Sequence, residues 1–597
     1  MKVLTAAVLA IAALSSASVV KTPGDTFELL ILHNNDMHAR FEQTSQQGGT
    51  CTTADREAGK CYGGFPRVAH VVKEARKAAQ SGEGPPVLYL NAGDTYTGTA
   101  WFTIYKWKIA AEFVNALQPD AVSLGNHEFD EAVDGVVPFI RNLSTPVLAA
   151  NLILDNVPEL KNEKNLYKSI VIIKNNVKIG IIGYLTPLTK YLAPHNNVEY
   201  EDEIPAIRRE VQKLKAQNVN ILIALGHSGF LKDLAIAKEV EDLDLVIGGH
   251  SNTFLWNAAS TPEKPEVREG PYPTEVKQAN GRIVRVVQAY AYTKYMGKLH
   301  LIFDATGEIV KCDGTPILLN QKIPRDPELL KTVNKYHADM DRINSEPVGS
   351  SFVYLNETGC RLRECNIGNL IADAMLNYTR EQHHQEYPDV NIGIVQGGRI
   401  RTSIYHEGKP FTVTRGDWIN VLPFSDSLTI ITMNGTTLRE SLEHSVSTWR
   451  TTDSTGQFQQ FSGMQVIYDL AQPVGSRVVS AKAVCSNCGF YDLQDIKDEY
   501  EYKVMMPTFL AEGGDGYTMF TSLPSKSLPY NELDSVLYYL ANYSPVDTHL
   551  DGRIILLNED KIKNLDTKPE RRLHSNAVPI KSRLTWFYVL TILVISS

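Results

Sequence analysis

The chain carries no excess of positive charge. Its 597 residues include 59 lysines and arginines against 68 aspartates and glutamates, which gives a formal net charge of −9. A protein that binds nucleic acid through a broad basic surface needs the opposite balance, so we expect no nucleic-acid partner. The composition, 43% hydrophobic and 21% charged, is that of a globular protein. The chain is too long to fold around a single hydrophobic core. We therefore predict two domains.

The sequence also lacks a terminal apolar run long enough to span a membrane, which takes about 20 residues. Residues 1–17 combine one lysine, an apolar stretch and a cluster of small residues, the pattern of a cleaved signal peptide. The apolar run 584–597 follows a polar spacer and a small-residue cluster, which is typical of a glycolipid-anchor signal. We predict that residues 576–597 are removed and that Ser575, or else Asn576, carries the anchor. The only predicted membrane contact is this anchor, on the outer face of the plasma membrane, with a secreted form as a further possibility.

Cysteine is scarce, with seven residues in the whole chain. In a secreted protein, cysteines close in sequence predict disulfides, here Cys51–Cys61, Cys360–Cys365 and Cys485–Cys488. Cys312 remains as a buried thiol or an intermolecular link. Five Asn-x-Ser/Thr acceptor sites agree with passage through the secretory pathway; they are Asn142, Asn356, Asn377, Asn434 and Asn542.

Repeated units of apolar strand, polar loop and amphipathic helix fill the first half of the chain, which predicts a layered α/β domain over residues 25–321. Residues 322–346 contain a long amphipathic helix between a polar loop and a Pro/Gly-containing segment, and we expect them to link two domains. Residues 347–557 again mix strands, helices and glycine-rich turns, which predicts a second α/β domain.

Potential metal ligands follow the predicted strands of the first domain. Because sites collect at the carboxyl ends of strands, we expect these side chains to meet at one edge of one sheet. Two divalent metals about 3.5–4 Å apart need N and O ligands on each ion and one shared carboxylate. Asp94, alone on its loop, is the natural bridge, and neighbouring glycines such as Gly93 and Gly125 are expected to let the chain turn tightly. The set comprises Asp36, His38, Asp94, Asn126, His127, His227, His250 and Asn252.

The motifs that carry these residues, "DMH", "GD", "GNHEFD", "GH" and "GGHSN" in this order, resemble those of calcineurin-like metallophosphoesterases. In the second half, "CRLRECNIGNLIADAM", "VLPF" and "GGDGY" resemble the 5′-nucleotidase family, most of all its animal ectoenzymes. The resemblance implies an N-terminal four-layer α/β-β-α metallophosphoesterase domain joined by a helix to a C-terminal α/β nucleoside-binding domain. It also implies a homodimer formed through the second domain.

The resemblance implies a role for each motif residue. One metal would be bound by Asp36, His38 and the bridging Asp94, with Asn252 nearby. The second would be bound by Asp94, Asn126, His227 and His250, and zinc is the expected ion for both sites, with manganese or cobalt as alternatives. His127, at an extended strand end, would donate to the phosphoryl group, and Asp130 would orient it. Glu128 is left without a role, either behind the site or in solvent.

The second domain would bind the nucleoside. The resemblance implies that Phe424 and Tyr517 stack on the purine, and that Arg361, Gln396 and Arg401 contact phosphate and ribose. Tyr517 stands where the family usually has Phe, and Gln396 where it usually has Asn. The acidic residue that usually follows the second aromatic to bind the ribose hydroxyls is not evident, and Ser522 is the nearest polar residue.

These inferences favour an extracellular hydrolase that removes the 5′-phosphate of nucleoside monophosphates, AMP to adenosine, by a water activated by two metals. The alternative is an apyrase that hydrolyses ATP and ADP to AMP, because the two activities share this chemistry. A non-catalytic nucleotide binder would have lost a ligand or His127, and all are present. Since substrate must bridge the two domains, we expect the second domain to rotate about the helix that begins near Pro327.

Overall fold

The computed structural model describes residues 26–257, 266–424, 427–451, 454–484 and 492–566. The predicted signal peptide, the anchor signal and the Cys485–Cys488 pair therefore lie outside the described residues. The predicted disulfides Cys51–Cys61 and Cys360–Cys365 are both formed, whereas Cys312 is a half-buried free thiol. Of the helices described, none combines the length and apolar character that a membrane crossing requires.

The first domain is built from sixteen described strands and eight described helices. In chain order the strands are β1 (Phe27–Asn34), β2 (Val87–Asn91), β3 (Ala121–Ser123), β4 (Val147–Leu148), β5 (Leu152–Ile153), β6 (Leu166–Tyr167), β7 (Ser169–Lys174), β8 (Val177–Leu185), β9 (Glu199–Tyr200), β10 (Ile221–His227), β11 (Leu245–Ile247), β12 (Thr274–Lys277), β13 (Ile283–Val287), β14 (Tyr295–Phe303), β15 (Ile309–Gly314) and β16 (Ile317–Leu318). The helices are α1 (Thr53–Glu57), α2 (Phe65–Ser81), α3 (Ala100–Leu117), α4 (Ala132–Asn142), α5 (Pro158–Lys161), α6 (Thr189–Leu192), α7 (Glu203–Lys215) and α8 (Phe230–Glu239).

Fourteen of these strands form two packed sheets, one of eight strands in the order β15-β14-β1-β2-β3-β4-β6, with β16 beside β14, and one of six in the order β12-β13-β11-β10-β8-β7. The short strands β5 and β9 pair separately with each other. The strands that lead into the site are parallel to one another: β1, β2 and β3 in the first sheet, β10 and β11 in the second, while β1 is antiparallel to β14 on its other side. Such strands are buried on both faces, which explains their continuous apolar sequences.

Three apolar layers separate the four layers of this domain. Leu29, Ile31 and Ile223 belong to the core between the two sheets. Phe65 and Phe113 belong to the core between the first sheet and helices α2, α3 and α4. A third core packs α7 and α8 on the outer face of the second sheet. This is the predicted α/β-β-α arrangement.

A single helix, α9 (Pro327–Ser345), leads from the first domain to the second. Asp326 caps it by accepting from the backbone N–H of Leu329 at 2.9 Å. Its buried side chains, among them Val333 and Met340, pack into the α2–α3 core of the first domain. The predicted linker thus contains a helix, and this helix contacts both domains, because it also packs against the helix Arg415–Val421 of the second domain.

The second domain has eleven described strands, β17 (Pro347–Ser351), β18 (Ile392–Gln396), β19 (Phe411–Thr414), β20 (Leu428–Asn434), β21 (Gln459–Ser462), β22 (Met464–Asp469), β23 (Val478–Val484), β24 (Leu493–Asp495), β25 (Glu501–Pro507), β26 (Ser525–Ser527) and β27 (Ile554–Leu557). Its described helices are α10 (Asn366–Gln382), α11 (Arg415–Val421), α12 (Gly435–Ser445), α13 (Thr508–Ala511), α14 (Glu532–Tyr543) and α15 (Glu559–Asp566). A five-stranded sheet, β21-β18-β25-β20-β26, and a four-stranded sheet, β24-β23-β22-β27, form its frame.

Candidate active site

The predicted ligands meet in one buried cluster, but they come from two sheets and not from one. Asp36, Asp94 and Asn126 follow β1, β2 and β3 of the first sheet, whereas His227 and His250 follow β10 and β11 of the second. The expectation of a single sheet edge is therefore wrong. Because the two sheets pack face to face, the carboxyl ends of their central strands still converge.

Asp94 lies at the centre of the cluster. Its Oδ2 is 2.9 Å from His227 Nε2 and 3.8 Å from His38 Nε2, while its Oδ1 accepts from the backbone N–H of His127 at 2.9 Å. Two groups of potential ligands, His38 with Asp94 and His127, and Asp94 with His227 and His250, each place their ligand atoms within 4.8 Å of one another. Asp94 is common to both groups, as a bridging ligand would be.

The imidazoles of His227 and His38 are oriented by backbone carbonyls outside the cluster, whereas His250 Nδ1 lies 2.9 Å from Oδ1 of Asn126 within it. His227 Nδ1 lies 2.7 Å from the carbonyl of Ala92, and His38 Nδ1 lies 3.0 Å from the carbonyl of Thr97. Each contact leaves Nε2 directed at the carboxylates, which is the arrangement that metal-ligating histidines usually show. Each contact places a proton on Nδ1, so that Nε2 is the nitrogen that would offer its lone pair to a bound cation.

Two buried ligand atoms lack a hydrogen-bond donor in the part of the chain that the structure describes. These atoms are Asp36 Oδ1 and Asn252 Oδ1, although Asp36 Oδ2 accepts from Asn35 at 2.8 Å and from the His250 N–H at 2.9 Å. A buried acceptor without a donor is costly, so both atoms fit a site completed by cations. The donor set of carboxylate, amide oxygen and imidazole also suits divalent metals.

The charged groups of the cluster shift one another's pKa values. Burial raises the pKa of Asp36 to about 6, with His227 opposing and Asp94 reinforcing the shift. Burial also acts to raise the pKa of Asp94, but the facing imidazoles of His227 and His127 hold it well below its ordinary value. Conversely, burial acts to lower the pKa of His227, and the carboxylates of Asp94 and Asp36 raise it to about 10. The carboxylates of Asp36 and Asp94 therefore favour a positive charge within the cluster.

His127 lies beside the ligands without the geometry predicted for it. The residue begins a 3₁₀ turn, His127–Phe129, and Asn126 before it has helical angles, so the expected extended strand end is wrong. His127 Nδ1 lies 2.9 Å from Asp130 Oδ2, three residues further along this turn. Burial acts to lower the pKa of His127, but Asp130 and Asp94 raise it above the ordinary value. The side chains of Asn126 and His127 therefore leave the backbone from a helical turn, and not from the alternating positions of a strand.

Backbone strain concentrates at the ligand loops. Five predicted ligands have left-handed backbone angles that favour glycine: Asp36 (φ 49), His38 (φ 48), Asp94 (φ 56), His250 (φ 79) and Asn252 (φ 54). Gly93 does turn in the left-handed region (φ 89), as predicted. Gly125 does not, and it is glycine for a different reason, since an added Cβ would lie 2.1 Å from Asp94 Oδ1. Strain of this kind clusters at functional sites.

Glu128 is the site residue that the sequence left unassigned. It is fully buried, and its carboxylate accepts from four backbone N–H groups, those of Gly125 (2.6 Å), Thr95 (2.7 Å), Asp94 (3.0 Å) and Tyr96 (3.3 Å). Burial, and next the charge of Asp94, raises its pKa to about 7. Glu128 therefore ties the Asp94 loop to the Asn126 loop, and it is not a solvated residue.

The second domain reaches into this cluster. Arg401 Nη2 lies 3.1 Å from His38 Nε2, and the ring of Phe424 lies 5.8 Å, centroid to centroid, from the ring of His127. Further contacts join the domains nearby, including Asn420 Nδ2 donating to Thr50 Oγ1 at 2.9 Å. Two predicted substrate-binding residues thus lie against two predicted metal-site residues.

The other predicted substrate residues lie close behind. Gln396 is buried, and its Oε1 has no hydrogen-bond partner among the described residues. Arg361 interacts electrostatically with Asp515, a half-buried carboxylate that sequence reasoning missed although it lies in the quoted "GGDGY" motif. Tyr517 is completely buried, and its hydroxyl donates to the carbonyl of Gln457. Its stacking role stays a prediction.

Comparison with known proteins agrees with this geometry. Residues 29–254 match the calcineurin-like phosphoesterase family, and residues 347–522 match the 5′-nucleotidase C-terminal domain. Protein 5NUC of Lutzomyia longipalpis is 42% identical over 552 residues, which cover 91% of this chain and 95% of that protein. The 5′-nucleotidase of Homo sapiens is 40% identical over 548 residues, covering 91% and 93%. The chain belongs to the 5′-nucleotidase family.

A solved structure shows the same two-domain fold. The 5′-nucleotidase precursor of Thermus thermophilus superposes with a TM-score of 0.80 at 30% identity, and the match covers 89% of this chain and 100% of that one. The predicted family and fold class are confirmed. As a 5′-nucleotidase, the protein is a metal-dependent phosphate-ester hydrolase with a dinuclear divalent metal site, for which the Asp94 cluster supplies the candidate ligands.

Proposed function

We propose that this 5′-nucleotidase hydrolyses the 5′-phosphate of extracellular nucleoside monophosphates, with AMP as the preferred substrate. The observation that supports this most directly is the contact of Arg401 with His38, together with the position of Phe424 beside His127. A substrate with a phosphate at the metal ligands and an aromatic base one ribose away would span these two groups. Nucleoside monophosphates have this length and chemistry.

Asp36, His38, Asp94 and Asn252 would bind one cation, and Asp94, Asn126, His227 and His250 the other. Zinc is our proposed ion, since imidazole and carboxylate are its usual ligands. When bound, the two cations would supply Lewis acidity toward the phosphoryl oxygens and acidify a water. The buried Asp36 Oδ1 and Asn252 Oδ1, which lack hydrogen-bond donors among the described residues, support this assignment.

His127 would act from the side of the cluster. With Nδ1 engaged by Asp130, its Nε2 is the nitrogen left to donate to a phosphoryl oxygen as negative charge develops there. The raised pKa of His127, which Asp130 and Asp94 produce against the effect of burial, keeps the imidazole protonated to higher pH. Asp130 would therefore both orient the ring and maintain its charge.

The second domain would bind the rest of the nucleotide. Arg401 and Arg361 would contact phosphate and ribose, Gln396 would use its unpartnered Oε1, and Phe424 would stack on the base, with Tyr517 as the second predicted aromatic. Entry of substrate between Arg401 and His38 requires the domains to separate, so we propose that the second domain rotates relative to α9.

The two disulfides support a secreted location, because such bonds persist in oxidising compartments. We propose an extracellular enzyme attached by a glycolipid at Ser575 or Asn576, and a homodimer formed through the second domain. Release of the enzyme from intact cells by a phosphatidylinositol-specific phospholipase C would support the anchor. Enzyme that remained on the cells would argue against it.

Substrate preference is tested by measuring phosphate release from AMP, ADP and ATP in parallel. We expect AMP to give the highest kcat/KM and to yield one phosphate per nucleotide. If ADP and ATP are hydrolysed readily while AMP accumulates, the enzyme is an apyrase and the proposed preference is wrong.

A further inference from the structure

Arg399 is a buried arginine that the proposed reaction does not use. It ends the 3₁₀ turn Gly397–Arg399, directly after β18, and only 4% of its surface is exposed. Its guanidinium carbon lies 4.9 Å from the centroid of the Phe424 ring. A guanidinium at this distance over an aromatic face makes a cation–π contact, which is stronger when water is excluded.

The guanidinium is fixed from its other side by an ion pair. Arg399 Nε donates to Glu532 Oε1, and the two side chains are 4% and 1% exposed. Glu532 is the first residue of α14, which Asn531 caps by accepting from the Asp534 N–H at 3.0 Å. The next residue, Leu533, packs against the cores of both domains. Arg399 is therefore anchored to a rigid helix end at the domain boundary.

The charge of Arg399 serves a different purpose from the charges of Arg361 and Arg401. Because Glu532 neutralises it, Arg399 adds little to the positive field that would attract phosphate. Arg399 also interacts electrostatically with Asp515. The contact of Arg399 that bears on the base is the one with Phe424, the ring that also borders His127. A buried, neutralised guanidinium against an aromatic face restricts where that ring can lie.

From this geometry we infer that Arg399, anchored by Glu532, is a positioning residue that fixes the Phe424 ring for stacking on the nucleobase. The inference rests on the proposed function, since it assigns Phe424 to the base of a nucleotide substrate. It adds a specificity determinant: the pair sets affinity for substrates that carry an aromatic base and has little effect on substrates without one.

The test compares AMP with ribose 5-phosphate, which has the phosphate and the sugar but no base. Arg399→Met combined with Glu532→Gln removes both charges of this ion pair together, so that neither member is left buried without the other. We expect KM for AMP to rise about 10-fold with kcat nearly unchanged, as loss of one desolvated cation–π contact would give. KM for ribose 5-phosphate should change little.

Three further variants sharpen the comparison. Phe424→Ala alone should weaken AMP binding, and adding the Arg399/Glu532 changes to it should cost almost nothing more, because the contact they support is already gone. Arg439→Ala is the matched control, since Arg439 of α12 forms an exposed ion pair with Asp498 and is expected to leave both substrates unaffected.

The outcomes distinguish the inference about Arg399 from the proposed function. If the wild type prefers AMP but the double variant keeps its KM for AMP, or loses both substrates equally, the inference is wrong and the proposed function stands. If the wild type itself does not prefer AMP over ribose 5-phosphate, the proposed preference for a nucleoside monophosphate is wrong.

Discussion

Replacing Glu128 by Gln is the perturbation whose effect can best be worked out from the structure. Each carboxylate oxygen of Glu128 accepts from two backbone N–H groups: Oε1 from Thr95 and Tyr96, Oε2 from Asp94 and Gly125. An amide has one oxygen only. Whichever way the substituted side chain is oriented, its NH₂ group faces two N–H donors that then have no acceptor.

A buried donor left unsatisfied costs about 1–3 kcal/mol, so two donors cost roughly 2–6 kcal/mol. The neutral amide no longer bears the desolvation penalty of a buried carboxylate, which offsets part of this loss. The damage falls on the backbone of Asp94 and Gly125, at the centre of the metal cluster. We therefore expect Glu128→Gln to unfold at a lower temperature, to retain less metal after dialysis and to lose activity.

The assay is thermal unfolding of the purified full chain, with metal content measured on the same sample. Glu131→Gln is the matched control, because Glu131 forms a half-exposed ion pair with Lys106 that is worth little. If Glu128→Gln matched the wild type and this control in unfolding temperature and metal content, the role assigned to Glu128, which is to hold the Asp94 loop to the Asn126 loop, would be wrong.

Four other perturbations test the site. His127→Ala should lower kcat by roughly 10²–10³-fold with metal content near normal, as loss of one transition-state donor does. Asp94→Ala should lose metal and activity together. Equal metal contents in the two variants would contradict these roles. Asp130→Asn removes a carboxylate that raises the pKa of His127. Since a protonated donor is lost as pH rises through its pKa, the alkaline limb of the kcat profile should move to lower pH; an unmoved limb would argue against His127 as that donor. A reducible cross-link between positions 50 and 420, where Asn420 donates to Thr50, should block turnover until reductant is added, and activity that persists would exclude domain separation.

The sequence predicted that the candidate ligands lie together, because each of them stands at the end of a strand that the apolar pattern identifies. Asp36, Asp94 and His227 each follow an apolar strand, and the ends of parallel strands converge. The pattern could not show that two sheets contribute, since hydrophobic periodicity identifies strands but not the sheet that each one joins.

Other features depend on contacts that local sequence does not encode. Three of the four N–H groups that bind Glu128 lie 32–34 residues earlier in the chain, so most of its contacts follow from tertiary packing. The pairing of Arg399 with Glu532 likewise joins residues 133 positions apart. Tyr517 was predicted from a motif, and its complete burial in the second domain is visible only once the core has formed.

Hydrolysis at the Asp94 cluster is tested most directly by phosphate release from AMP before chelation, after chelation and after zinc is restored. The wild type should lose activity with its metal and regain it when about two zinc ions per chain have bound, the number that a dinuclear site requires. Asp94→Ala should stay inactive throughout. Activity that survives complete removal of metal, or that zinc restores equally in Asp94→Ala, would contradict the central claim.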